Sequence, residues 1–223
     1  MPKPKNLDES LQGTKERLLE AATDVFGRYG YDAATTRMIA KEAKVNIAAI
    51  PYYFNGKEGL YFAVIDHVVD LISQRVRPIT LMVSGCSFSG PNAKEKATAL
   101  LEKLLTGLIG FMVGSTEAQR VARIILREQL DPSAAYDRIF AGFMATALNT
   151  LSTLIQVISD DNSERTAKIR AMTIFGQILI FRVARETVVR GLHMEGYNLI
   201  ETGEIQKVII EQTRSIITAL QPK

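Results

Sequence analysis

"VNIAAIPYYFNGKE", residues 45–58, poses the problem on which the fold turns. Asn46 is a strong helix N-cap, because its side-chain oxygen accepts an N–H of the first turn. With Asn46 as cap, Val45 and Ile50 stand at the two positions of a hydrophobic staple. The helix so specified then meets Pro51 at its fifth position. Proline cannot donate to the carbonyl four residues back and its ring crowds that carbonyl, which deep in a helix costs about 3 kcal/mol. Two tyrosines and a phenylalanine follow at once. Asn55 and Glu58 have the spacing of a capping box for the next helix. Lys57 falls in that helix's first turn, where a cation opposes the helix dipole. Two explanations stay open: an anion such as a DNA phosphate held between the lysine and the helix N-terminus, or a solvated surface lysine.

The preceding segments give this stretch a setting. Thr14–Tyr29 is amphipathic, with Leu18, Ala22, Val25, Phe26 and Tyr29 on one face, and Gly30 is placed to end it. Thr36–Ala43 reads as a short helix with Thr35 as its N-cap. A short helix, a turn of about three residues and a capped helix have helix-turn-helix spacing. In that motif the second helix enters the major groove and the first crosses the backbone. The exposed N-terminal residues of the second helix are then Ile47, Ala48 and Ala49. None hydrogen-bonds a base through its side chain; all suit close approach and thymine methyl contact.

Residues 14–61 resemble the DNA-binding domain of the TetR/AcrR family of bacterial regulators. The matching marks are Ala21, Ala22 and Phe26, then Gly30-Tyr31, Thr35-Thr36-Arg37, Ile39-Ala40, Val45, Tyr52-Tyr53-Phe54 and Lys57-Glu58. The string from Asn46 to Phe54 further resembles the CecR-like branch. The resemblance implies a homodimer on double-stranded DNA with a palindromic operator, usually as a repressor. The family's DNA-contacting positions fall on Thr36, Arg37, Asn46, Ile47, Ala48, Ala49, Pro51, Tyr52, Tyr53 and Lys57. Two departures stand out. Lys44 occupies a turn position that is usually glycine and bears strain if that residue is left-handed. Pro51 replaces a common tyrosine, which removes one hydroxyl contact. Arg37 is then the best candidate for a base contact, bidentate to guanine, or else a backbone contact without specificity.

The rest of the chain sets bounds. Its 223 residues, 47% hydrophobic, suffice for a substantial core. The net charge of +3 permits a nucleic-acid partner without requiring one. One cysteine, Cys86, excludes an intrachain disulfide and a Cys-based zinc cluster, and two histidines argue against a His-rich metal site. No cofactor is expected. A reducing, cytoplasmic compartment follows, and the polar N-terminus lacks the apolar core of a signal peptide. Cys86, in a Gly/Ser loop, is either an incidental or a reactive thiol. Ile139 to Ser159 has no charge over 21 residues, long enough to span a bilayer. Its Thr, Ser, Asn and Gln content fits a buried helix better, so no membrane partner is expected.

The predicted fold is all-α. A flexible arm, 1–12, precedes a three-helix helix-turn-helix domain ending at residue 57. A larger domain, 58–223, follows, with helices near 57–77, 93–113, 116–130, 133–159, 163–190 and 203–219, for about nine helices in total. The resemblance assigns this body to effector binding and dimerisation. Phe111, Met112, Phe140, Phe143, Met144, Met172, Phe175 and Phe181 recur on candidate inner faces, as an adaptable pocket lining or as plain core. Phe111, Met112, Met144, Asn149 and Gln177 are the candidate effector-pocket residues. The run Ile174–Phe181 and the ladder Ile205, Ile209, Ile216, Leu220 suit a four-helix dimer interface or intramolecular packing.

The sequence has no nucleophile–base pair, metal cluster or phosphate loop, so an enzyme is not expected. The expected function is a ligand-responsive repressor released from its operator by a small hydrophobic effector. The alternative is a helical interaction adaptor without sequence-specific DNA binding.

Overall fold

The computed structural model describes residues 7–160 and 163–220; side chains are described from residue 13 onward. The elements are α1 (Leu7–Ala33), α2 (Thr36–Ala43), α3 (Ala49–Phe54), α4 (Lys57–Gly85), α5 (Ala93–Met112), α6 (Thr116–Leu130), α7 (Ala134–Ile139), a π-helical segment (Phe140–Met144), α8 (Ala145–Ser159), α9 (Glu164–Val183), α10 (Arg185–Gly191) and α11 (Leu199–Leu220). The described residues contain no strand. The all-α expectation holds. Two long helices are subdivided: the expected 133–159 by the π segment, and the expected 163–190 by a break at Ala184 (φ −101°, ψ 33°).

The chain divides into two compact units. One comprises Met1–Asp70 with Arg120–Ile139, the other Leu71–Gln119 with Phe140–Lys223. Of the expected flexible arm, residues 1–6 lie outside the described residues. The part from Leu7 onward is instead the start of α1. Gly13, which costs about 1 kcal/mol in a helix, is tolerated within it. Gly30 breaks the helical path as expected, at φ 79° and ψ 175°. In the first unit α2 and α3 pack on α1, over a core that includes Leu18, Phe26, Ile39, Ile50 and Leu60.

The turn between α2 and α3 is set by hydrogen bonds that the sequence makes legible. Thr35 Oγ1 accepts the Met38 N–H at 3.2 Å and caps α2. Lys44 adopts φ 54° and ψ 46°, the left-handed region. The Lys44 N–H donates to the Lys41 carbonyl and the Val45 N–H to the Ala40 carbonyl, at 3.2 and 3.0 Å, the paired bonds of a Schellman motif. Asn46 Oδ1 accepts the Ala48 N–H at 2.9 Å. The first turn after it is tight: Ala49 N–H donates to Asn46 O and Ile50 N–H to Ile47 O, each three residues back. The regular α-helix therefore begins at Ala49, and Pro51 is its third residue. First-turn N–H groups have no intrahelical acceptor, so proline there removes little. The Ile47 carbonyl that Pro51 cannot serve is served by Ile50.

Asn55 does not cap α4. It takes φ 57° and ψ 28° and closes α3, its N–H donating to the Pro51 carbonyl at 3.1 Å. Gly56 precedes α4, its carbonyl accepting the Leu60 N–H at 3.1 Å. The backbone of α3's last turn lies so close to α4 that a Cβ on Gly59 would overlap the Phe54 carbonyl oxygen. α4 runs past its expected end and through Pro78 to Gly85. Ile79 and Val83, beyond the proline, are buried in the second unit's core, and that burial outweighs one lost backbone bond.

In the second unit α5, α8, α9 and α11 pack around one apolar cluster. Leu101, Leu105, Leu154, Ile155, Ile174 and Ile178 are fully buried in it. Ala134–Ser159 is long and apolar enough to meet the criterion for a membrane span, with a third of its window buried. Its α8 end is buried where Leu154, Ile155 and Ile158 join the cluster, and Ala135 and Ile139 are buried at its start.

Replacing Lys44 by glycine removes a left-handed L-residue, whose strain is about 1–2 kcal/mol, against about 0.5–1 kcal/mol of added chain entropy. K44G is expected to raise the thermal midpoint by a few degrees in a calorimetric scan; a lower midpoint would show that the lysine side chain stabilises the turn by more than its strain.

Candidate nucleic-acid interface

The α2–turn–α3 unit presents a set of side chains with few internal commitments. Arg37, on the first turn of α2, is exposed, and no protein group among the described residues engages its guanidinium. Thr36 beside it is half-buried. Asn46, Ile47, Ala48 and Pro51 are exposed and Ala49 is half-buried. Asn46 is partly spent, since its carbonyl oxygen holds the helix start. Tyr52 is 74% exposed, and its ring meets the half-buried Tyr53 edge-on at 4.8 Å. Phe54 is buried. The three aromatics thus divide: two tyrosines outward, the phenylalanine into the core.

Lys57 has a third fate that the sequence did not suggest. Its ammonium donates to the Asp32 carbonyl at 3.2 Å and lies 4.5 Å over the Tyr31 ring. Both contacts favour a cation, the second through the ring quadrupole. They answer the dipole objection without a bound anion, while leaving the half-buried ammonium with donor capacity to spare.

The segment from Arg120 to Ile139 was missed in the sequence as part of this unit. Arg120 grips α1: its Nε and Nη2 donate to the two Asp24 carboxylate oxygens at 2.6 and 3.2 Å, and Nη2 also to the Glu20 carbonyl at 2.7 Å. Arg127 Nη2 donates to the Arg28 carbonyl at 3.1 Å. Arg138 pairs with Asp66 of α4 at 2.8 Å and lies over Phe62. Glu128 is 4% exposed. Its carboxylate accepts from the Tyr61 hydroxyl at 2.5 Å, the Ser133 N–H at 3.1 Å and the Ser133 hydroxyl at 2.9 Å. Tyr61 in turn stands edge-on to Phe26 and tilted against Tyr31, at 4.9 and 5.0 Å between centroids. Burial, then the bond to Glu128, pushes the Tyr61 phenol well above its usual range. The only signal in the sequence was charge spacing, with Glu20 and Asp24 one turn apart and Arg120 and Arg127 two turns apart.

The candidate effector residues lie in the second unit, on α5, the π segment, α8 and α9. Phe111 and Met112 are half-buried at the end of α5; Met112 packs on the apolar cluster, and Arg75 lies 5.8 Å over the Phe111 ring. Met144 ends the π segment, and Asn149 is exposed on α8. Gln177 is half-buried on α9, with a buried Oε1 that has no partner among the described residues. Two of the aromatic and methionine positions read as inner faces, Phe140 and Met172, are exposed instead.

The geometry defines a helix-turn-helix DNA-binding head on an all-helical protein, and comparisons with known proteins agree. Residues 18–64 match the family model of the TetR family of bacterial regulatory proteins, and residues 97–220 that of the C-terminal domain of the HTH-type transcriptional dual regulator CecR. The chain is 33% identical over 176 residues to the dual regulator CecR of Shigella flexneri, covering 78% of each sequence. Among solved structures, it resembles AibR, crystallised with isovaleryl coenzyme A and operator DNA, at a TM-score of 0.65 and 15% identity, covering 89% of this chain and 97% of that one. A TetR-like regulator from Rhodococcus sp. RHA1 matches at a TM-score of 0.59 and 16% identity, covering 96% and 99%. The chain belongs to the TetR family, with a CecR-type C-terminal domain. It is a transcriptional regulator with a DNA-binding domain, not an enzyme.

Removing the Tyr61 hydroxyl leaves a buried carboxylate short of a donor, which costs about 1–3 kcal/mol. Y61F is expected to lower the thermal midpoint by several degrees. The raised phenol pKa also fixes a sign: the neutral tyrosine is favoured on folding, so its contribution is full below the unfolded value of about 10 and is lost as pH rises above it. A pH titration of stability should show that alkaline loss in the wild type and a shallower one in Y61F.

Proposed function

We propose that the protein is a ligand-responsive repressor that binds a palindromic operator as a homodimer and is released by a small hydrophobic effector. The observation that carries the reading is the set of exposed, uncommitted groups on α2 and α3: the Arg37 guanidinium, the Tyr52 ring and the apolar tip Ile47-Ala48. Arg37 supplies hydrogen-bonded base contact. Ile47, Ala48, Ala49 and Pro51 supply close approach and methyl contact. Thr36, Asn46, Tyr52, Tyr53 and Lys57 supply phosphate anchoring. Residues 1–57 form the reading domain in this scheme, and 58–223 bind effector and dimerise. The protein works on DNA in the cytoplasm.

Support for a homodimer comes from an apolar stripe on α9. Ile169, Met172, Ile180 and Val183 are each at least half exposed. With Gly176 between them they are spaced by three or four residues, the seam of a helix that meets another helix. Gly176 has open space above its Cα, which permits close approach. Val208 and Ile216 continue an exposed apolar face on α11. Of the run Ile174–Phe181 and the ladder Ile205, Ile209, Ile216, Leu220, the residues Ile174, Ile178, Ile205 and Ile209 are buried within the unit, while Ile180 and Ile216 are exposed. Two heads fit successive major grooves about 34–36 Å apart, and an effector that alters that spacing by differential binding switches occupancy.

Footprinting on DNA flanking the protein's own gene, followed by titration of the operator found, tests the reading. R37A is expected to weaken operator binding by about tenfold or more, as loss of a bidentate base contact does, and to relax preference at one position of each half-site. Y52A should weaken all sequences alike and leave the salt dependence unchanged, because a neutral phenol that bonds phosphate releases no counterion. If neither substitution changes DNA affinity, DNA recognition through this face is wrong. M172E places a charge in the apolar stripe and is expected to convert the dimer to a monomer in sedimentation. A dimer of unchanged strength would move the interface elsewhere.

A further inference from the structure

Beside the end of α5 lies a buried cation without a counter-ion. Arg182, on the last turn of α9, is 9% exposed. Its Nη2 donates to the Met112 carbonyl and, at 3.4 Å, to the Ser115 carbonyl. Its Nε is buried and has no acceptor among the described residues. No carboxylate among the described residues pairs with it. Its charged neighbour is a second cation, Arg185, which lies 5.5 Å over the Tyr197 ring and pairs with the exposed Glu186 at 3.2 Å. Burial pushes the Arg182 pKa down, yet a guanidinium keeps its charge in proteins. A buried polar group without a partner, and above all a buried charge, is costly unless something completes it.

A second orphan stands against the same turn. The Thr202 hydroxyl, on the first turn of α11, is buried and has no partner among the described residues. A Cβ placed on Gly114 would lie 3.3 Å from it. Gly114 sits between Met112 and Ser115, whose carbonyls hold Arg182. Elsewhere the protein shows what such an arginine edge takes. Arg120 uses Nε and Nη2 against the two oxygens of Asp24, at 2.6 and 3.2 Å. Arg214 uses the same pair against Glu102, at 2.6 and 2.8 Å. Arg182 presents this edge with Nε empty and Nη2 resting on neutral carbonyls.

We propose that Arg182 and Thr202 form a head-group subsite for an anion with two acceptor oxygens, a carboxylate or a phosphate, carried by the small-molecule effector. This rests on the effector-responsive reading above and narrows its ligand to an amphipathic acid. The anion takes the Nε–Nη2 edge bidentately and accepts from the Thr202 hydroxyl. In doing so it competes with the Met112 and Ser115 carbonyls. Ser115 is also the residue whose hydroxyl accepts the Ala118 N–H at 3.2 Å and caps α6, so the ligand acts on the turn that starts α6.

The test uses the full-length protein with octanoate, octyl phosphate and octanol as probes. Octanoate or octyl phosphate is expected to shift the Arg182 Nε–H resonance, assigned by its loss in R182K, and to bind at least tenfold more tightly than octanol. The more effective acid identifies the head group. R182Q should abolish the preference for acids. T202V, which keeps the side chain's shape and leaves Arg182 in place, should reduce it several-fold, and it serves if R182Q folds poorly. Octanol binding as tightly as both acids, no binding of either acid at millimolar concentration, or an unchanged preference in T202V and R182Q would overturn the subsite. Operator release is read in parallel. Acids that bind at Arg182 without affecting operator occupancy would leave the anion site standing and remove the effector reading. Release by octanol alone would do the reverse.

Discussion

The DNA-reading unit depends on a carboxylate taken out of water. Desolvating Glu128 costs several kcal/mol, and among the described residues the Tyr61 hydroxyl and the two donors of Ser133 offset it. Those donors come from different parts of the chain, so the carboxylate ties the second turn of α4, the end of α6 and the approach to α7 together. Tyr61 extends the tie through its contacts with Phe26 of α1 and Tyr31, and Tyr31 carries the Lys57 ammonium. Arg120 and Arg127 add direct bonds to α1. The helix-turn-helix pair is therefore mounted on a frame whose fasteners lie some 60 to 100 residues further along the chain.

What was legible in the sequence near the head was local. The Thr35 cap, the bounds of α2, the left-handed Lys44 and the Asn46 start all rest on bonds spanning five residues or fewer. Such bonds leave a sequence signature because their donor and acceptor travel together. Pro51 was legible as an anomaly but not as a solution, because a tight first turn is a choice of bond pattern, not of residue. Asn55 is instructive: asparagine suits both an N-cap and a left-handed C-terminal residue, and the closeness of α3 to α4 selected the second. The partner of Lys57 was out of reach, because Asp32 is 25 residues away.

In the body, apolar content was legible and facing was not. α9 carries isoleucines on both sides: Ile174 and Ile178 are buried while Ile169 and Ile180 are exposed. A helix with two apolar faces has no dominant periodicity to say which one the core takes. The same ambiguity misplaced Phe140 and Met172. Pro78 shows the converse: a local breaker was overruled by burial of the residues after it.

Gly59 governs how α3 is seated against α4. With the Phe54 carbonyl filling the place of a side chain, the joint between α3 and α4 has no room for a cushion. Most inter-helix joints absorb a small rotation in the rotamers between them. Here backbone rests on backbone, and neither can change rotamer. No side-chain rotamer therefore lies at this contact to take up a small tilt of the first turn of α4. Chemical variety at one position has been given up in exchange for a weld, and the reading helix inherits its orientation from α4 without slack.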